Sequence, residues 1–331
     1  MRLRKAGVVS SKLLSVIVPV YNIADHVRHL AGELSKLVDV DAEVIVVDDG
    51  SSDGTVAALR TLDAGVADLT VIECPENAGA GVARNVGFAR AVGKYTLFFD
   101  GDDNLHADGI HATIEDLERT GADASINSYE FIRDGQSTST GMNVIDRVLW
   151  KELFGKFRGE PFSLGDAPRL LEFTNYPWNK IIRTDRYQSL GLDPLFGETK
   201  VNNDIQGHWN ILLNAQRLVL VDRTIVTHHV SGARDHLSNQ FGRERLDLFV
   251  ALRSVHDTLK ADPDLVDRYG PVFWAFVRRL VTWAEAKLRE DVAVAFSRES
   301  NALVSEITFA ELLDTHKSDA AGTYRWLMGR I

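Results

Sequence analysis

Short apolar runs alternate with amphipathic segments over the first hundred residues of the chain. Each apolar run is nearly continuous, as expected for a strand that is buried on both faces of a sheet. The runs are Leu14–Tyr21, Glu43–Asp49, Leu69–Glu73 and Lys94–Asp100. After the first of them, apolar side chains recur at helical spacing from Val27 to Leu37. Strands that alternate with helices predict βαβ units, and therefore a parallel sheet with right-handed crossovers.

The pattern loosens after about residue 105. A helix over Asp108–Arg119 and a strand over Ala124–Tyr129 precede a polar stretch, Arg133–Thr140, that we expect to be a loop. Residues 141–200 are irregular, two short strands follow, and helices are predicted beyond about residue 240. We therefore expect a tail over residues 1–12, one α/β domain in two halves (13–110 and 111–240), and a helical C-terminal region over 241–331.

Polar clusters follow three of the predicted strands where each strand ends. They are Tyr21–Asn22, Asp48–Ser52 and Asp100–Asp103. Ligands of open parallel sheets bind beyond the carboxyl ends of the strands, so the fold would bring all three clusters to one edge. The sequence therefore predicts a ligand site there.

Composition and charge narrow the class of protein. The formal net charge of −10 argues against a general nucleic-acid binder, which needs a basic face. The single cysteine, Cys74, leaves no disulfide framework and no cysteine-based zinc site, which fits a reducing compartment. No apolar run reaches about 18 residues, and the N-terminus lacks a signal-peptide pattern. We therefore expect a cytoplasmic protein without a transmembrane helix.

The sequence FFDGDD places two carboxylates, Asp100 and Asp102, two residues apart at a strand end. Both can face Mg²⁺ or Mn²⁺, which prefer hard oxygen ligands, and a nucleoside diphosphate can supply further oxygens. The alternative is an acidic turn that caps the following helix, for which Asp103 is the best placed.

Two other segments carry polar chemistry. Asp49 ends a strand and suits the N–H of a uracil or a ribose hydroxyl, whereas Ser52 or Asp53 is placed to begin a helix. The run Asn77–Ala89 has the spacing of neither a P-loop nor a dinucleotide fingerprint, so its glycines are expected to allow close helix packing. Arg84 within it can reach a phosphate.

Taken together, VIVPVYN, VDDGSSDGT, the ARN run and FFDGDDNL resemble, in order and spacing, the family 2 inverting glycosyltransferases. The resemblance is strong over residues 13–110 and weaker to about 240. It implies a GT-A fold, which is Rossmann-like with a mostly parallel sheet and flanking helices, here extended by a C-terminal helical region. It also implies a metal-dependent hexosyl transfer, with inversion, from a nucleotide sugar to a hydroxyl of a glycan or lipid-linked acceptor. The first half would bind the nucleotide sugar and the second half the acceptor.

The resemblance assigns donor-binding roles position by position. Pro19, Tyr21, Asp49 and Ser51 match positions around the nucleotide base, and Arg84, Asp100 and Asp102 match positions around the diphosphate. Of the D-x-D pair, Asp102 is the expected direct metal ligand. Some GT-A enzymes add a later histidine to the metal, a role that suits His229, while Arg234 suits a pyrophosphate contact. A surface loop with a capping histidine is the alternative for this segment.

The resemblance also indicates a general base. FGETKVNNDI matches the stretch that normally carries a Glu-Asp pair, so the base here would be Asp204. Asn203 stands in place of the glutamate, so Asp204 lacks the acidic neighbour that would raise its pKa. Glu198 is a second choice, and an N-cap of the following helix is the structural alternative for Asp204.

The sequence leaves alternatives for the donor nucleotide, for Trp178 and for the apolar face near the C-terminus. UDP is the expected donor nucleotide, with dTDP and GDP as alternatives. Trp178 could stack on an acceptor sugar or belong to the core. The apolar face of Phe273–Trp283 could contact a membrane from the cytoplasmic side, form a dimer, or simply pack, which is the default.

Other protein classes fit less well. Haloacid-dehalogenase phosphatases and nucleotidylyltransferases need motifs that this chain lacks, and a processive synthase needs Q-x-x-R-W and transmembrane helices. A non-catalytic carbohydrate-binding or scaffolding protein with a degenerate GT-A fold is the remaining alternative, and Asn203 is the feature that favours it.

Overall fold

The structure is a computed structural model of the 331-residue chain, and it describes residues 12–62, 68–133, 138–192, 194–230, 242–318 and 322–331. The strands are β1 (Lys12–Val20), β2 (Ala42–Asp48), β3 (Asp68–Glu73), β4 (Gly93–Phe98), β5 (Asn104–Leu105), β6 (Ala124–Asn127), β7 (Glu130–Arg133), β8 (Thr140–Gly141), β9 (Ile181–Arg183), β10 (Leu218–Val221) and β11 (Val226–Val230). The α-helices are α1 (Val27–Ser35), α2 (Thr55–Arg60), α3 (Ala80–Phe88), α4 (Ala107–Thr120), α5 (Val144–Phe157), α6 (Thr184–Ser189), α7 (Asn203–Asn214), α8 (Asp247–Lys260), α9 (Pro263–Glu285), α10 (Glu290–Val304), α11 (Phe309–Ser318) and α12 (Thr323–Met328).

Within these residues a seven-stranded sheet has the order β10-β6-β9-β4-β1-β2-β3. Its strands pair in parallel except β9, which runs antiparallel to β4 and β6. The mostly parallel α/β sheet predicted from the apolar runs is therefore confirmed. Strands β5, β7, β8 and β9 were not predicted, and the stretch 141–200, expected to be irregular, contains α5 and α6. Strand β11 was predicted without a partner, and the structure pairs it in a second sheet of order β5-β11-β7-β8.

The central strands are buried on both faces, as their continuous apolar runs predict. Helix α3 packs close to these strands because Gly87 has no side chain. A Cβ atom at this position would lie only 2.5 Å from Cγ2 of Ile17. At Gly81 a Cβ atom would lie 1.9 Å from the carbonyl oxygen of Gly197 and 2.7 Å from Cβ of Asn203. The close packing expected for these glycines is thus confirmed, and it brings α3 against the start of α7.

The C-terminal helices pack on one another and on the main domain. On α9, Phe273, Trp274, Phe276 and Val277 are fully buried. The membrane interpretation of this apolar face is therefore wrong, because the face belongs to the core; only Trp283 at its end is exposed. In the part of the chain that the structure describes, none of the helices has the length and apolarity needed to cross a bilayer.

Candidate active site

The loops after β1 and β2 are joined by hydrogen bonds at the carboxyl edge of the sheet. The backbone N–H of Asn22 donates to Oγ of Ser51 (2.8 Å), and that of Ser52 donates to Oδ1 of Asn22 (2.9 Å). Asn22 adopts a left-handed conformation (φ 51°) that its short polar side chain tolerates. Tyr21, beside it, is 46% exposed, so its ring is accessible to a ligand.

Asp49 is buried and accepts the backbone N–H groups of Ala78 (2.9 Å) and Gly79 (2.8 Å). Its carboxylate therefore fixes the start of α3 to the end of β2, a contact that the sequence does not reveal. Asp53 accepts the N–H of Thr55 (3.0 Å), the first residue of α2, but the N-cap residue of that helix is Gly54, so the predicted cap at Ser52 or Asp53 is wrong. Pro19 is partly buried in β1, in register with Val47 of β2.

Arg84 is buried and bridges the two halves of the domain. Its Nη2 lies 2.7 Å from Oδ1 of Asp100, and its Nη1 donates to Oδ1 of Asn203 (2.9 Å). The guanidinium also lies 5.5 Å from the centre of the Phe196 ring. Arg84 thus joins the loop after β4 to the residue that precedes Asp204.

Asp102 and His229 line one open pocket of about 220 Å³, together with His26 and His29. Carboxylate oxygen and imidazole nitrogen are donors that Mn²⁺ accepts, so this pair fits a metal. Asp100 differs, since its Oδ1 pairs with Arg84. Across the described ranges, no three His, Cys, Asp or Glu side chains converge on one point, so the predicted trio of Asp100, Asp102 and His229 is not assembled as a cluster. Arg234 lies outside the described residues.

Asp103 is fully buried and does not cap a helix, so that expectation was wrong. Its carboxylate accepts from Nδ1 of His228 (2.8 Å) and from the backbone N–H of His229 (2.9 Å), whereas α4 begins after His106 with no side-chain cap. Burial raises the pKa of Asp103 to about 7, against the opposing attraction of His228. Both histidines belong to β11 rather than to a surface loop.

Asp204 lies in the first turn of α7 and is partly buried. Burial raises its pKa to about 6, Arg84 and Lys180 oppose this shift, and Asp100 adds to it. The raised pKa therefore does not need an acidic neighbour at position 203. The N-cap position of α7 belongs to Asn202, so Asp204 is not the cap.

The segment before β9 carries two stacked aromatic rings, Trp178 and Tyr176, which differ in exposure. Trp178 is 1% exposed, which confirms that it belongs to the core. Tyr176 stacks on it with the ring centres 4.4 Å apart and is itself only partly buried. Burial raises the pKa of the Tyr176 hydroxyl, and the negative charges of Asp146, Asp204 and Asp103 add to this shift. Of the two stacked rings, Tyr176 rather than the predicted Trp178 is therefore the one with exposed surface.

Lys180, in the same segment, is buried and donates to the carbonyl of Tyr176 (2.6 Å) and to Oδ1 of Asn179 (2.8 Å). Burial lowers its pKa to about 7. By contrast, Glu198, the second choice for the base, is exposed.

Comparison with known proteins bears on the family and the fold of the chain. The family model for "Glycosyl transferase family 2" matches residues 15–183. The chain is 33% identical over 124 residues to TuaG of Bacillus subtilis, which is named as a teichuronic acid biosynthesis glycosyltransferase; the match covers 37% of this chain and 49% of TuaG. It is 32% identical over 127 residues to the succinoglycan biosynthesis protein ExoO of Rhizobium meliloti, covering 38% of this chain and 35% of ExoO. The matches thus span less than half of either relative.

Solved structures share the fold at low sequence identity. Residues 1–349 of Staphylococcus aureus TarS, in complex with UDP-GlcNAc, superpose with a TM-score of 0.73 at 18% identity, covering 96% of this chain and 88% of that one. The mannosyltransferase PcManGT of Pyrobaculum calidifontis, in complex with GDP-Man and Mn²⁺, gives a TM-score of 0.55 at 19% identity, covering 96% and 84%. Since the family model matches just over half of the chain and the sheet has the GT-A arrangement, the protein belongs to glycosyltransferase family 2.

Proposed function

We propose that the protein transfers a hexosyl group, with inversion, from a nucleotide sugar to a hydroxyl of a glycan or lipid-linked acceptor. The observation that carries this proposal is the bridge made by Arg84. Because Arg84 bonds both Asp100 and Asn203, the loop after β4 and the first turn of α7 meet at one point. A donor diphosphate held near Asp102 would then have its anomeric carbon within the same site as Asp204.

Asp204 is proposed as the general base. Its carboxylate takes the proton of the acceptor hydroxyl while that oxygen forms a bond to the anomeric carbon. The bond between this carbon and the diphosphate oxygen breaks on the opposite side, and the nucleoside diphosphate leaves with the electron pair. One displacement without a covalent intermediate inverts the configuration. A pKa of about 6 supports this role, because a base with a pKa near the working pH is efficient.

The donor would bind along the loops after β1, β2 and β4. We assign the nucleotide base to Pro19, Tyr21, Asp49 and Ser51, and UDP is the nucleotide that we expect. Asp102 and His229 would hold Mn²⁺ or Mg²⁺, supported by their shared pocket. A bound divalent ion would supply positive charge to the departing diphosphate.

The acceptor would bind on the half formed by residues 111–240. Tyr176 is proposed to support its sugar ring, because the aromatic ring is only partly buried and is held in place by stacking on Trp178. TuaG and ExoO are named for the biosynthesis of bacterial polysaccharides. By this likeness, we propose a surface glycan or its lipid-linked precursor as the acceptor.

Calorimetric titration of UDP, dTDP and GDP, each with and without Mn²⁺, tests the proposal. We expect one nucleotide to bind with metal, Asp102→Ala to lose the metal-dependent part, and Asp204→Asn to keep nucleotide binding while losing sugar transfer. Transfer that survives in Asp204→Asn would remove Asp204 as the base. Failure of all three nucleotides to bind would favour a non-catalytic protein.

A further inference from the structure

The outer face of α5 carries apolar side chains that no other part of the described structure covers. Val144, Ile145 and Val148 are 67%, 52% and 62% exposed, whereas Leu149 and Leu153 of the same helix are buried. Residues three and four positions apart lie side by side on a helix, and Val148 is three positions from Ile145 and four from Val144, so the three form a single patch over the first turns of α5. Single exposed apolar residues are common, but a contiguous patch marks a contact surface.

Basic side chains border this patch. Arg147 and Lys151 are exposed and lie one turn apart along one flank of the patch. Lys156 is exposed two turns beyond Val148, where its Nζ donates to the carbonyl of Asp166 (2.7 Å). Among the described residues, neither Arg147 nor Lys151 forms a salt bridge. The acidic residue nearby, Glu152, pairs with Arg169 at 3.0 Å. The chain as a whole has a formal charge of −10, so this local excess of positive charge stands out.

We infer that the outer face of α5 docks on an anionic lipid surface. An apolar centre with basic flanks is the pattern of a helix that lies in the membrane interface, where apolar burial and attraction to anionic headgroups add together. The rest of the protein is acidic, so an anionic lipid surface would repel it. The molecule would therefore dock with α5 towards the lipid. Three apolar side chains are too few for a stable protein interface of about 800 Å² per partner, which favours lipid over a second copy of the chain.

The inner side of α5 connects this face to the acceptor half. Asp146 is buried, accepts the hydroxyl of Tyr129, and accepts the backbone N–H of Thr174 (3.1 Å). Thr174 lies two residues before Tyr176. Resting on the proposed function, docking through α5 would therefore present the acceptor half of the molecule to a lipid-linked acceptor.

Flotation of the full chain with vesicles tests the inference without any nucleotide or acceptor. The vesicles are phosphatidylcholine alone, or phosphatidylcholine with phosphatidylglycerol as the anionic lipid. We expect binding to the anionic vesicles only. Arg147→Glu with Lys151→Glu should lower the bound-to-free ratio at least about tenfold, since each basic residue near the surface contributes roughly a factor of five. Val144→Ser with Val148→Ser should lower it by at least about tenfold as well, because the variant loses apolar side chains that would be buried in the interface.

Matched controls change equally exposed residues elsewhere. Val294 and Phe309 are 82% and 80% exposed on α10 and α11, so Val294→Ser with Phe309→Ser removes as much exposed apolar surface. Arg268→Glu with Arg325→Glu reverses two exposed charges away from α5. Both control pairs should bind vesicles like the wild type. Circular dichroism of each variant verifies that the fold is kept.

Three outcomes would overturn the inference. The first is that the protein does not bind anionic vesicles, and the second is that the control pairs lose binding as strongly as the α5 variants. The third is a concentration-dependent dimer, seen by light scattering in the wild type and abolished in Val144→Ser with Val148→Ser. The last outcome would make the face an interface between copies of the chain. Nucleotide calorimetry on the same variants separates this failure from failure of the proposed function, because it measures the donor site alone.

Discussion

Removing the Arg84 guanidinium is expected to weaken the fold as well as the site. Arg84→Met keeps most of the side-chain volume and its contact with Phe196, but leaves Asp100 and Asn203 without their shared donor. Breaking a buried ion pair from one side costs about 3–5 kcal/mol. Asp100 keeps 29% of its side chain exposed, so water compensates in part. We expect a loss of about 2–4 kcal/mol in the free energy of unfolding.

Urea unfolding followed by circular dichroism measures this loss. The matched control is Arg60→Met, which removes the exposed pair with Glu73 (2.8 Å) and should cost at most about 1 kcal/mol. Arg84→Lys should fall between the wild type and Arg84→Met, because one ammonium cannot reproduce the fork that reaches two acceptors. If Arg84→Met destabilises the protein no more than Arg60→Met does, the bridge between α3, the loop after β4 and α7 contributes no stability, and our reasoning fails.

Three further predictions concern pH and packing. The proposed base, Asp204, has a pKa of about 6 and can accept a proton only when deprotonated. The kcat/KM of the proposed transfer should therefore fall tenfold per pH unit below about 6, and a rate that stays constant down to about pH 4 would contradict this assignment. The pKa of Glu311 is lowered from 4.5 to about 2. Burial alone would raise this pKa, but hydrogen bonds to the carboxylate, led by that of His256, together lower it more. The ionised Glu311 therefore stabilises the fold above pH 4.5, and this stabilisation is lost as the pH falls towards 2. Urea unfolding at several pH values should show that the free energy of unfolding falls with pH over this range, and less steeply in Glu311→Gln. An equally steep fall in the variant would refute the assignment. Gly81→Ala should lower the free energy of unfolding by about 3 kcal/mol, because the new Cβ atom would collide with the carbonyl oxygen of Gly197. The control Gly155→Ala places its Cβ in open space and should be neutral or stabilising by up to about 1 kcal/mol. Equal melting temperatures of the two variants would contradict this difference.

The sheet could be predicted from the sequence where its strands are long. The runs that became β1, β2, β3 and β4 are continuous and apolar because both faces of the sheet are covered. The strands that were not predicted, β5, β7, β8 and β9, have only two to four residues. A strand of that length shows no periodicity, and its pairing depends on tertiary contacts with distant segments.

The sequence indicates which strand ends carry the polar residues of the candidate site, but not how their side chains pair. Asp100 and Asp102 look equivalent in the sequence, yet in the described structure Asp100 pairs with Arg84, whereas Asp102 lines a pocket with His229. Asp103 seemed placed to cap a helix, but the strand that carries His228 covers it. The partner lies 125 residues away, and nothing in the local sequence of FFDGDD indicates it.

The departure at position 203 has a physical explanation in this geometry. The Asn203 amide oxygen accepts from Arg84 without adding negative charge, so the single charge of Arg84 is balanced by Asp100 alone. A glutamate there would add a second carboxylate beside the guanidinium and would raise the pKa of Asp204 further by repulsion. Burial already raises that pKa to about 6. An asparagine at this position therefore keeps the bridge and leaves Asp204 a weaker base than a Glu-Asp pair would provide, so the departure does not by itself favour a non-catalytic protein.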